Sequence, residues 1–121
     1  MIIKQTYKNL IHTDKLDLVE PTYYECNFEN IGYEGKELSS KFINCKFDEV
    51  NFYWATVITP IFIKCIFQSC DLRAYFNDVL FYDCTFINCL TGDDNLGCET
   101  KWLGAEVIDC RLVDTQLPKR K

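Results

Sequence analysis

A large side chain returns every five residues through most of this sequence. Phe42, Phe47, Phe52, Val57, Phe62, Phe67 and Leu72 are seven successive centres without a slip. One residue is then lost, and the phase resumes at Phe76, Phe81 and Phe86. Upstream, also offset by one, stand Tyr23, Phe28, Tyr33 and Leu38; beyond residue 100 come Trp102, Val107, Leu112 and Leu117. A helix would need a 3.6-residue period, which is absent. Leucine-rich repeats need a longer signature with an Asn position that is also missing.

Four such units span about twenty residues, and columns appear at that spacing. Phe28, Phe47, Phe67 and Phe86 recur at 19, 20 and 19; Tyr23, Phe42, Phe62, Phe81 and Trp102 recur at 19, 20, 19 and 21. Seven of the eight cysteines stand two residues before a centre. Cys26, Cys45, Cys65 and Cys84 form one column, and Cys70, Cys89 and Cys110 the next, with Cys98 off the lattice.

On these residues the chain resembles the pentapeptide-repeat family, whose unit has a small residue, any residue, then Leu or Phe. The resemblance covers roughly 16–117 and is strongest from Ser40 to Cys89. It implies an all-β fold: a right-handed quadrilateral parallel β-helix of about five coils, with the centre and the small residue inward. Residues 1–15 are then an N-terminal capping segment, 16–117 the β-helix with an irregular loop at 91–99, and 118–121 a basic tail. The Cys- and Phe-rich units look most like the branch that includes quinolone-resistance proteins, which protect DNA gyrase. That likeness implies a binding protein and no enzyme.

The physics agrees with such a stack. Coils joined by parallel β hydrogen bonds climb about 4.8 Å each, so five make a post roughly 24 Å tall. Each buried centre contributes about 1.5–3 kcal/mol, and only stacking shields it from water.

The rest of the sequence narrows the function. With 13 basic and 18 acidic residues the net charge is −5; setting aside Lys119, Arg120 and Lys121 leaves −8 on the body. Direct nucleic-acid binding by phosphate neutralisation is not expected. No apolar run approaches the roughly 18 residues of a membrane helix, and the start is too short in apolar residues for an export signal. A cytoplasmic protein with reduced thiols is therefore expected. C-x4-C occurs twice, but there is no C-x-x-C and His12 is the only histidine, so no metal or cofactor is expected. The acid pairs Asp48-Glu49 and Asp93-Asp94 fall on outward or loop positions, away from any desolvated cleft.

Two outward features remain as candidate sites. Tyr24, Ile43, Ile63, Tyr82 and Leu103 each follow a centre, and Ile61 and Leu80 each precede one. Together they predict an apolar stripe on one outer face, with Ile87 and Ile108 around the corner. Its occupant is a homodimer mate, another protein partner, or the N-terminal segment with Ile2, Ile3, Tyr7, Leu10 and Ile11. The other candidate is a recognition loop at 91–99, with Asp93, Asp94, Asn95 and Glu99. Against it stands an irregular corner only one residue over length, with Leu96 inward. The function expected is inhibition or protection of a macromolecule, a topoisomerase or nuclease first, by partial DNA mimicry. The alternatives are a structural or oligomerisation module, and an immunity or anti-defence factor.

Overall fold

The computed structural model describes residues 1–10, 21–58, 60–92, 96 and 102–117. Within them the full five-residue unit repeats one conformation, from which the shortened corners at Ser39 and Arg73 depart. Centre and following residue are extended; the next residue turns a corner with positive φ, as at Asn44 (55°), Lys64 (53°), Asp83 (54°) and Asn88 (53°). Asn, Asp and Gly take this region most readily, because a Cβ otherwise crowds the following carbonyl. The residue after the corner must be small, since it points into the core at the bend. Cys45, Cys65, Cys84, Ala55 and Val79 stand there, all buried.

Four corners close a coil, and successive coils pair in parallel. The first face stacks Ile2–Ile3, Thr22–Tyr24, Lys41–Ile43, Ile61–Ile63, Leu80–Tyr82 and Glu106–Ile108. The second stacks Thr6–Leu10, Asn27–Ile31, Lys46–Asp48, Ile66–Gln68, Thr85–Ile87 and Arg111–Val113. The third is held by single bridges, Gly32 to Asn51 to Asp71 to Leu90. The fourth stacks Glu37–Leu38, Thr56–Ile58, Tyr75–Asn77 and Trp102–Leu103. The fold is thus an all-β, four-sided parallel β-helix, with no helix among the described residues.

Two ladders of rings fill it. Phe28, Phe47, Phe67 and Phe86 stack with centroids 4.9, 4.9 and 5.0 Å apart and planes within 7°. Tyr23, Phe42, Phe62 and Phe81 stack likewise at 5.3, 5.1 and 5.1 Å, with planes within 11°. The ladders meet edge to face, as in Phe47–Phe62 at 74°, the arrangement that ring quadrupoles favour. Each thiol of the cysteine column donates to a carbonyl of the coil before: Cys45 to Tyr23, Cys65 to Phe42 and Cys84 to Phe62, at 3.3–3.4 Å. All seven described cysteines are free.

Pairing begins at Ile2, inside the segment expected to be a cap. Ile2 is registered with Tyr23 and Tyr7 with Phe28, so residues 2–10 form two sides of a coil rather than a cover for the stripe. The last coil also differs from expectation. Phe81 pairs with Val107 and Phe86 with Leu112, 26 residues on in each case. The extra length lies between Leu90 and Trp102, so this coil is six or seven residues over length rather than one. Cys110 consequently caps the column of Cys84, whose amide approaches its sulfur at 3.4 Å. Trp102 pairs with Phe76 on the fourth face. Its indole lies 4.6 Å from the Phe76 ring and also stacks on Phe81, 5.4 Å away.

Candidate functional site

With the rings inward, the outward side chains form vertical rows. On the first face one row runs Ile3, Tyr24, Ile43, Ile63, Tyr82, Ile108, each in register with the next. Ile61 and Leu80 stand side by side in the row that precedes the centres. Six of the seven predicted stripe residues are therefore together. Leu103 is not: it is registered with Asn77 on the fourth face. Ile3 and Ile108 join the row instead, while Ile87 is on the second face. Tyr24, Ile43, Ile61, Ile63 and Leu80 are half-buried by their stacked neighbours, whereas Ile3, Tyr82 and Ile108 are 41–48% exposed. A contiguous apolar surface of this kind marks a contact site more often than a lone exposed residue does.

Charge borders the row unevenly. The corner row beside it holds Lys4, Glu25, Asn44, Lys64, Asp83 and Asp109. On the other side stand Lys41 and, higher up, Asp78 and Glu106. Lysines thus border the first, third and fourth coils of the face, Glu25 borders the second, and four carboxylates border the last two. Lys4 approaches Glu25 at 4.0 Å, and on the second face Lys8 approaches Glu29 at 3.5 Å. A recess of about 330 Å³ opens at the acidic end, lined by Ile61, Asp78, Val79, Leu80, Gly104 and Glu106. Gly104 keeps it open. Its φ of +66° suits a residue without Cβ, and a Cβ there would run into the Asp78 carboxylate.

A second ordered surface on the third face carries no repeat signal, because it is built from outward residues. Arg73 bonds Asp71 through two nitrogens, at 3.0 and 2.8 Å, and its guanidinium lies 4.7 Å from the Tyr53 ring centroid. Trp54 stacks on Tyr53 and is 42% exposed.

Of the 91–99 segment only Thr91, Gly92 and Leu96 are described. Leu96 is 74% exposed rather than inward. Asp93, Asp94, Asn95 and Glu99 lie outside the described residues, as do His12 and Cys98. Among the described residues no group of three His, Cys, Asp or Glu side chains is placed to hold a metal ion. Nor is any helix there long and apolar enough to cross a membrane. Burial pushes the Cys65 and Cys70 thiols well above their usual range, so they are neutral in the core.

No protein-family model and no curated protein matches the sequence. Among solved structures, a trypsin-treated variant of QnrB1, a plasmid-mediated fluoroquinolone resistance protein, is similar. It is 12% identical, with 98% of this chain and 90% of that chain covered, at a TM-score of 0.38. On its own geometry, with a five-residue unit, an inward centre and small residue, and a positive-φ corner repeated on four sides, the chain has the pentapeptide-repeat β-helix architecture.

Proposed function

We propose that the chain is a non-enzymatic binding protein whose first face is a protein-docking surface. The observation that carries this reading is the outward apolar row from Ile3 to Ile108, in register over six coils and bordered by charge. A rigid core of stacked rings holds that row in place, so little side-chain or backbone order has to be acquired on binding. The reading requires no cofactor, and the free thiols accord with action in a reducing compartment such as the cytoplasm.

Within this class the acidic body supports a DNA-handling enzyme, a topoisomerase or nuclease, as the partner. A duplex carries one negative charge per roughly 1.7 Å. The described rows hold at most two carboxylates in succession, Glu29–Asp48 and Asp83–Asp109. Mimicry of DNA is accordingly confined to patches. The stronger patch is the quartet Asp78, Asp83, Glu106 and Asp109, which crowds two adjacent coils.

The test is a supercoiling assay with the chain added to purified gyrase, with and without a gyrase poison. Inhibition, or relief of the poison, is expected, weakened in Asp83→Asn/Asp109→Asn and in Ile63→Asp. No effect of the unsubstituted chain on either reaction removes topoisomerases from the reading.

A further inference from the structure

The row on the first face reads the same in both directions: Ile3, Tyr24, Ile43, then Ile63, Tyr82, Ile108. We infer that its occupant is a second copy of this chain, packed face to face with the two coil axes antiparallel. The inference rests on the first face being a docking surface and names the protein that docks there.

The symmetry follows from the rows. A two-fold axis lying in the interface along the strand direction, midway between Ile43 and Ile63, sets each row against itself in reverse. Ile43 then meets Ile63 of the second copy, Tyr24 meets Tyr82, and Ile3 meets Ile108. An isologous contact needs such a self-complementary patch. The order Ile-Tyr-Ile-Ile-Tyr-Ile supplies it over the full height of the face, and aromatic pairs add about 0.5–1.5 kcal/mol each beyond the area they bury.

Charge selects this arrangement over its alternative. In a dimer with parallel axes each coil faces its own copy. The carboxylates of Asp78, Asp83, Glu106 and Asp109 would meet the same four groups, with only Lys64, one coil below Asp83, near enough to offset part of the repulsion. Reversing one axis brings Lys4 opposite Asp109, and Lys64 opposite Asn44, one coil from Glu25. One like-charged apposition remains, Glu25 with Asp83, and it lies on the solvated rim between the lysines. Both ends of the dimer then keep an acidic quartet at the rim, and the second and third faces stay free.

The face is about 24 Å tall and one coil side wide, below the roughly 800 Å² per partner of a standard interface. A reversible dimer is therefore expected. Sedimentation velocity on the full chain across a wide concentration range should show the mass rising from 14.2 kDa towards twice that value. Ile63→Asp should remain at the monomer mass with an unchanged far-ultraviolet spectrum. Lys4→Glu, an exposed change, should raise the dimer dissociation constant roughly tenfold, since symmetry inverts the pair twice. Adding Asp109→Lys to it should restore the dimer.

An unsubstituted chain that stays monomeric overturns the inference. So does a dimer indifferent to Ile63→Asp, or one that the charge exchange fails to restore. In any of these cases the gyrase assay still decides, separately, whether the first face docks a different protein.

Discussion

Phe47 and Phe67, twenty positions apart in sequence, lie with ring centroids 4.9 Å apart and planes 5° from parallel. Each is also paired through its backbone with the other, so one residue of each coil carries both the hydrogen-bond ladder and the core. Removing one ring leaves a void bounded by rings above and below that are fixed by their own strands and cannot close in. Phe47→Ala and Phe67→Ala should each lower the unfolding free energy by about 3–5 kcal/mol, read from urea melts. A loss below about 1 kcal/mol would show that the ladder is not packed as described.

The corners give a prediction of opposite sign. Lys64 holds φ at 53° with its side chain exposed, a conformation that costs an ordinary L residue about 1 kcal/mol. Lys64→Asn should stabilise the chain by several tenths of a kcal/mol to about 1, while Asn44→Val, placing a β-branched residue in the same conformation, should destabilise it. Equal melting temperatures for the three proteins would contradict the corner assignment.

Tyr33 is fully buried, and its hydroxyl has no hydrogen-bond partner among the described residues. Burial holds its phenol well above the usual range, with Tyr23 and Tyr7 adding to the shift. The folded state therefore favours the neutral form. The stability linked to this group is fully present below the unfolded-state value near 10, and is lost as pH rises from there towards the folded value. Tyr33→Phe should stabilise the protein by about 1–2 kcal/mol at neutral pH and make its melting less sensitive to alkali. A destabilised Phe variant would mean that the hydroxyl is satisfied.

The cysteine column makes a chemical prediction. In a Cys98→Ser background, six of the remaining thiols are buried and only Cys110, at the end of its column, is partly exposed. A thiol reagent added to the native protein should label Cys110 first, and the others only at the rate of unfolding. Rapid labelling of Cys65 or Cys70 would contradict the burial of the column.

Much of this was legible from the period alone, for a physical reason. Where every coil has the same length, an inward side chain must recur at that length, so Phe28, Phe47, Phe67 and Phe86 reveal both column and coil. The same reasoning misplaced Trp102, Leu103 and Cys110, because extra residues before Trp102 break the count while the five-residue phase resumes afterwards. The correct register was present in the spacing of 26 shared by Cys84–Cys110 and Phe86–Leu112, yet 19 and 21 matched the earlier columns more closely. The stripe was found because outward residues inherit the register of the centres. Its reversed symmetry was not, because it depends on Ile3 and Ile108, which belong to coils whose register only the pairing fixes. The cluster of Asp71, Arg73, Tyr53 and Trp54 had no periodic signal at all, since nothing repeats it in the coils above and below.

The central claim is that rings one coil apart touch and rings two coils apart do not. Nuclear Overhauser measurements on phenylalanine-labelled protein test it directly. The account predicts ring-to-ring cross-peaks for Phe28–Phe47, Phe47–Phe67 and Phe67–Phe86, with none for Phe28–Phe67. Cross-peaks absent from all three neighbouring pairs, or a Phe28–Phe67 cross-peak in their place, would contradict it.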